Sequence, residues 1–351
     1  MISSIARLSL TATAALFAAL SPARGQLANS EAVGFITLPI NGAAAGGQTA
    51  LSFRSLGVAR PIEFRGAATS DVTPGSSQIT CTTASWTADR FNGTNGKYYL
   101  EIVGPAGTPG AGTMYDIVTT NALTHTLTLD QSLSNAVTGK PSFRIRKHWT
   151  LGSVFGLANE GGLTGGFATT ADVVMVYSGG LYTRYYYSLA AGQIGWRKGT
   201  DTATDQSGTV LYPDDGLLIS RQDTSATQVV LKGAVKTGQT SFPVLAGLNI
   251  LGNPYAAPMT LAASNLYLGD GATGLTAGFA TTADLVLIYN GTRYETYYYS
   301  AGGTPGVGWR KVAGDGSDQG ATQIPVGTAF IVQRKNGGAF NWVIPQFPPT
   351  L

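Results

Sequence analysis

Gly166-Phe167-Ala168-Thr169-Thr170-Ala171-Asp172 recurs without change as Gly278-Phe279-Ala280-Thr281-Thr282-Ala283-Asp284. Each copy runs into an apolar segment, Val173-Val174-Met175-Val176-Tyr177 or Leu285-Val286-Leu287-Ile288-Tyr289, then across a turn into Tyr185-Tyr186-Tyr187-Ser188 or Tyr297-Tyr298-Tyr299-Ser300. Both close on Gly-Trp-Arg-Lys, at Gly195 to Lys198 and at Gly308 to Lys311. A repeat of this length sets architecture before any single motif is weighed, and it points to assembled β modules. Alternation places Tyr185 and Tyr187 on one strand face and Tyr186 on the other.

Working outward, short Val/Ile/Tyr/Thr runs bounded by Gly, Asn and Pro fill the chain, and apolar residues rarely recur at a helical period. The reading is all-β. Asn92-Gly93, Asn290-Gly291 and Asn336-Gly337 have the chemistry of hairpin turns, and Ser178-Gly179-Gly180 takes the place of Asn290-Gly291 in the earlier copy. The likeness between copies reaches back to Gly47-Gln48-Thr49 and Gly238-Gln239-Thr240, breaks after Pro61 and resumes at Thr150-Leu151. An insertion at a loop explains the break. The expected architecture is therefore two homologous β-sandwich-like domains: residues 26–61 plus 149–222, interrupted by a small β-barrel or sandwich over 62–148, then residues 223–351. Within the insert, strands are expected at 62–66, 78–83, 98–103, 114–119, 124–129 and 142–146.

Residues 1–25 have the form of an export signal: Arg7, an apolar stretch over 8–20, and Ala23-Arg24-Gly25 as a small-x-small cleavage site. The stretch is shorter than a membrane span, so the expectation is a secreted protein, extracellular or periplasmic, without a membrane span. Charged residues make up 12% of the chain and net charge is +3 without a long basic run, which argues against nucleic acid as partner. Cys81 is the only cysteine and reads as a small apolar strand residue.

Two stretches carry a resemblance. Leu248-Asn249-Ile250-Leu251-Gly252-Asn253-Pro254-Tyr255-Ala256-Ala257-Pro258, with Ile324-Pro325-Val326-Gly327-Thr328-Ala329-Phe330-Ile331-Val332 downstream, resembles the NPYP-type β-sandwich modules of secreted surface proteins of gliding-type bacteria. Thr328-Ala329 departs from the glycine context of those modules. From Ala32-Val33-Gly34-Phe35 through Trp149-Thr150-Leu151-Gly152 to Trp342, the chain also resembles an uncharacterised family of exported bacterial β-rich proteins. Both resemblances imply export and β modules, and neither supplies a catalytic residue.

Chemistry-bearing patterns are sparse. His125 and His148 are the only histidines, with His125 inside an alternating strand, and no nucleophile elbow, His-x-x-x-His pair or cysteine cluster occurs. The five glutamates, Glu31, Glu63, Glu101, Glu160 and Glu295, do not recur between copies, so a glycosidase-like carboxylate pair has no repeat support. No catalytic residue, metal or cofactor is expected. The recurrent aromatic set is the candidate ligand site: Tyr185, Tyr187, Trp196 and Arg197 in one copy, Tyr297, Tyr299, Trp309 and Arg310 in the other. Flat rings stack on sugar faces, so this set could grip a surface polysaccharide, while the same pattern suits cross-strand packing. Asp201-Thr202-Ala203-Thr204-Asp205 and Asp315-Gly316-Ser317-Asp318 correspond in position, with Asp214-Asp215-Gly216 following in the first copy, and read as Asx turns. The glycine-rich 104–112 segment fits no phosphate fingerprint and reads as a mobile hairpin tip. The function expected is an exported structural, surface or matrix-associated protein without catalysis, given to self-association through strand edges; a polysaccharide-binding module is the alternative.

Overall fold

A computed structural model describes residues 31–44, 49–93, 96–105, 107–178 and 180–345. The expected export signal at 1–25 lies outside the described residues. Among those residues, strands dominate, and helix is limited to short turns such as Leu151–Phe155 and Ala262–Ser264. No helix among them is long and apolar enough to cross a membrane.

The repeated segments form two five-stranded antiparallel sheets of the same order. In the first, Gly195–Lys198, Leu181–Ser188, Val173–Ser178, Leu217–Arg221 and Ala50–Arg54 lie side by side; in the second, Val307–Lys311, Tyr294–Ala301, Leu285–Tyr289, Ala329–Arg334 and Gly247–Gly252 do. A two-stranded layer covers each sheet: Val33–Ile40 with Thr227–Ala234, and Thr240–Val244 with Phe340–Ile344. Alternation makes this layering work, because inward residues of both layers meet. Ile36, Leu38, Val229 and Leu231 pack with Val174, Leu217, Ile219 and Trp196 in one core, and Phe242, Val244, Phe340 and Trp342 pack with Val286, Phe330, Val332 and Trp309 in the other.

Pairing corrects one boundary and one correspondence. Thr227–Ala234 completes the first layer pair, so the first half extends past the 222/223 junction expected from the sequence. Thr240 opens the strand equivalent to Val33–Ile40, whereas Thr49 precedes a strand of the five-stranded sheet, so these two threonines are not counterparts; Gly47 and Gln48 lie outside the described residues.

Residues 62–147 build one six-stranded sheet of their own, in the order Ile62–Ala67, Ser142–Lys147, Tyr98–Val103, Met114–Asn121, Thr126–Leu129 and Gln78–Thr80. It curls into a half-barrel instead of closing, with register shifts between Ile62 and Phe64 and between Ile117 and Thr119 where bulges bend it. Ile79, Leu100, Leu127, Phe143 and Ile145 fill its interior, and Cys81, which lies just past Gln78–Thr80 and not in a strand as expected, joins them fully buried with its Sγ 3.4 Å from the Thr83 hydroxyl. His125 lies in the turn before its strand, not within it: φ is 52°, and Nδ1 meets the Ala84 carbonyl at 2.8 Å.

Turn chemistry was read with mixed success. Val173–Ser178 and Leu181–Ser188 form a two-residue hairpin, and Asn290-Gly291 sits in a hairpin whose longer loop is fixed by Asn290 Oδ1 accepting from the Thr292 and Arg293 amides. Asn92-Gly93 lies in an irregular loop, and Asn336-Gly337 joins strands that enter different sheets, so neither is a hairpin. In the NPYAAP stretch, Asn253 Nδ2 donates to the Ala257 carbonyl at 2.9 Å and the buried Tyr255 hydroxyl reaches the Gly238 carbonyl at 2.8 Å, so this motif anchors the backbone.

The glycine-rich tip of the half-barrel is pinned, contrary to the expected mobility. The Gly107 amide donates to Gln239 Oε1, Gln239 Nε2 donates to the Ala111 carbonyl, and the Ser241 amide donates to the Gly112 carbonyl. At Gly112, φ is 83° and a Cβ would stand 2.6 Å from the Gln239 carbonyl oxygen, so the docking requires glycine there.

Candidate functional site

The repeated aromatic residues are core residues. Trp196 is 0% exposed, donates its indole N–H to the Gly156 carbonyl at 2.8 Å, and meets Tyr187 edge-to-face at 5.8 Å. Its counterpart Trp309 meets Tyr299 edge-to-face at 5.6 Å, and Tyr299 stacks on Tyr267 at 3.7 Å. Tyr185, Tyr187 and Tyr297 are buried in the same two cores, while Tyr299 is half-buried. Arg197 and Arg310 are also buried, and neither rises above a ring. Arg197 Nη1 donates to the Trp196 carbonyl and to Asp205 at 3.4 Å; Arg310 Nη1 donates to the Trp309 carbonyl and to Asp318 at 3.0 Å. The set is brought together as expected, but as packing, and presents no ring face for a sugar.

The Asp-rich loops serve the same ends. Asp201 accepts from the Ala203 and Thr204 amides and Asp315 from the Ser317 amide, which are the expected Asx turns. The Gln206 and Gln319 amides then donate to the Trp196 and Trp309 carbonyls. These loops cap the outer edges of Gly195–Lys198 and Val307–Lys311, so those strand edges are not open for the lateral pairing expected from the sequence.

The glycine, the second threonine, the fully buried second alanine and the aspartate of the identical heptapeptide each have a structural reason. A Cβ at Gly166 or Gly278 would press the Thr170 or Thr282 hydroxyl at 2.8 Å, and those hydroxyls accept from the Phe167 and Phe279 amides at 3.1 Å. Asp172 is buried, accepting from the Thr164 and Gln222 amides and from Arg221 at 2.8 Å; Asp284 does the same with Thr276, Lys335 and Arg334 at 3.0 Å. The phenylalanines are the exception. Phe167 and Phe279 are 67% and 64% exposed, and Ile194 and Val307, also corresponding, are each 63% exposed. Phe167 and Ile194 share one end of their sheet, because Gly166 bridges Ser188, which pairs with Gly195. Phe279 and Val307 are placed alike, through the Gly278 amide on the Tyr299 carbonyl and the pairing of Ser300 with Gly308.

A second feature was not anticipated. A cleft of about 910 Å³ opens where the half-barrel meets both five-stranded sheets. Its wall carries Asp116, Asp130, His148, Tyr212, Asp214 and Asp215, with Met114, Pro213, Pro243 and Leu248 as apolar surface. Backbone bonds set the acidic turn in place: the Gly216 amide donates to the Ile250 carbonyl and the Gly252 amide to the Asp214 carbonyl. Across the cleft, Asp116 Oδ1 lies 2.8 Å from His148 Nε2 and Oδ2 accepts from the Tyr212 hydroxyl at 3.0 Å. Burial opposes ionisation of Asp116, yet the bonds from His148 and Tyr212 outweigh it and hold the carboxyl below its usual range. Burial and the Asp116 charge raise Asp130. Burial raises Asp214, and burial together with the Asp214 charge pushes Asp215 up to about 8. The arrangement holds acceptors of both ionised and protonated character along one wall. Asp116 and Asp130 carried no local sequence signal, since the cleft is assembled from stretches far apart in the chain. Among the described residues, no three acidic, histidine or cysteine side chains converge to hold a metal ion.

Compared with protein-family models, curated proteins and solved structures, the chain has no match.

Proposed function

We propose that the chain is an exported, non-catalytic β protein of a surface or matrix that works by associating with further copies of itself. The observation that carries this reading is the corresponding exposure of Phe167 with Ile194 and Phe279 with Val307. These large apolar side chains are left outside at corresponding places in both copies, whereas the exposed Leu181 and Leu189 are matched by Arg293 and Ala301. A contact made at two separate places on one chain gives each molecule two valences, which links copies into rows instead of closing a dimer. The resemblance to modules of secreted surface proteins and the signal-like 1–25 segment agree with export. The alternative of a polysaccharide grip on the Tyr/Trp faces loses its support, because Trp196 and Trp309 are enclosed by their own cores.

Sedimentation of the chain lacking residues 1–25 tests this. Species larger than the monomer should grow with concentration, and Phe167→Ser with Phe279→Ser should return the protein to monomer. Losing one buried phenylalanine per contact weakens it by about 1.5–3 kcal/mol, tenfold or more in affinity. The melting temperature should hardly move, since neither ring contributes to a core. A wild-type monomer at every concentration would end the reading.

A further inference from the structure

The acidic cleft is not used by the association reading, and its composition is one-sided. Asp116, Asp130, Asp214 and Asp215 line it together with His148, and no lysine or arginine does, although the chain as a whole carries a net charge of +3. Carboxylates brought to one wall repel one another and lose solvation, and since the nearby Lys236 lies outside the lining, a cation entering the cleft relieves both costs.

A second, independent observation lies beside them. His148 is 3% exposed and lines the cleft, yet its Nδ1 has no hydrogen-bond partner. Its Nε2 faces the Asp116 carboxylate, an acceptor, so in the neutral ring Nε2 carries the proton and Nδ1 is left as a buried lone pair. Such an acceptor calls for an N–H or O–H donor that the protein does not supply. Beside it the Tyr212 ring, 42% exposed, packs edge-on to the imidazole at 5.1 Å.

The spread of the charges selects the kind of cation. No three of the described acidic or histidine groups converge on a point, so a compact divalent ion finds no cage. The carboxylates instead belong to two separate stations: Asp116 and Asp130, joined by the Asp116 amide donating to Asp130 Oδ1 at 2.8 Å, and the adjacent Asp214 and Asp215 on the turn after Val210–Leu211. Pro213, Pro243 and Leu248 line the same cleft and offer apolar surface for methylene groups. We propose that this cleft binds a linear polyamine, whose separated ammonium groups meet the two carboxylate stations while its methylene chain lies on the apolar wall and one N–H donates to His148 Nδ1.

Binding should carry a proton signature. Burial and the Asp214 charge raise Asp215 toward its protonated form, Lys236 and His148 oppose the rise at Asp214, and an arriving ammonium favours the ionised form. Proton release on binding follows.

Isothermal titration of the whole secreted chain with spermidine, in buffers of different ionisation heat, is the test. The expected result is saturable binding that weakens with salt and releases protons near pH 7, with Asp215→Asn and Asp130→Asn each costing about tenfold in affinity. Asp71→Asn, an exposed carboxylate outside the cleft, should leave binding unchanged. Unaltered circular dichroism and melting of the variants separate lost binding from lost fold. Absence of saturable binding to the wild type, equal binding of magnesium at matched ionic strength, or equal losses with Asp71→Asn would each overturn the proposal.

Discussion

Glu101→Gln should destabilise the protein by about 3–5 kcal/mol, because it leaves several buried cations without their anion. Glu101 is 0% exposed and its carboxylate is shared: Arg144 Nε stands 2.6 Å from Oε2, Lys236 Nζ 2.7 Å from Oε1, and Arg146 Nε 4.0 Å from Oε2. Glu101 and both arginines belong to the half-barrel, whereas Lys236 lies beyond the strand Thr227–Ala234. The cluster therefore fastens the insert to the rest of the chain, and its loss should loosen that junction.

The pH dependence identifies the cause. Burial alone would raise Glu101, but Lys236 and Arg144 override it and hold the carboxyl at about 2, against an ordinary value of 4.5. A carboxyl depressed in the folded state gives stability that is complete above 4.5 and disappears as pH falls toward 2. That difference is worth about 3 kcal/mol. Burial draws Lys236 the other way, from 10.5 down to about 8, so its cost is full below 8 and lifts as pH rises toward 10.5. Denaturant melts between pH 2.5 and 5 should show wild-type stability climbing with pH and a much flatter Glu101→Gln curve. A loss under 1 kcal/mol with an unchanged slope would refute the role given to the cluster.

Legibility in the sequence divided along a physical line. Strands were readable where alternation is local: each of the six segments expected within 62–147 contains a strand, though 78–83 shortens to Gln78–Thr80 and 124–129 to Thr126–Leu129, and each repeated tyrosine segment pairs with its own Gly-Trp-Arg-Lys strand in the same register. Whether a strand face looks inward was not readable, because Tyr187 and Trp196 have the same sequence signature in a core as on a binding surface. What decides is the covering layer, Val33–Ile40 with Thr227–Ala234, whose partners are far apart in the chain. The cleft was hidden for the same reason. Asp214-Asp215 stood out as an acidic pair, but Asp116, Asp130 and His148 meet it only through pairing of distant strands, which no local spacing encodes. The phenylalanines of the heptapeptide show the converse: repetition was visible at once, and the structure separates Asp172 and Asp284, repeated for folding, from Phe167 and Phe279, which are not.

Trp196→Ala should cost about 3–5 kcal/mol, and Trp309→Ala a similar amount, since each empties the centre of a core. Trp196 is the costlier site. Besides its ring contacts with Phe155 at 5.7 Å and Tyr187 at 5.8 Å, it supplies the Gly156 carbonyl with a donor, and that bond adds about 1 kcal/mol. Trp196→Phe keeps most of the ring packing and loses the donor, so its cost should fall between wild type and alanine. The two alanine effects should add to within about 0.5 kcal/mol, because the tryptophans belong to separate cores with no shared partner. Equilibrium unfolding of both single variants and the double variant measures this directly. A sugar-binding platform makes the opposite demand: alanine there would remove polysaccharide retention while leaving stability intact. Enclosure at 0% exposure forbids that combination for Trp196, so any retention the protein shows should fall only in step with the unfolded fraction.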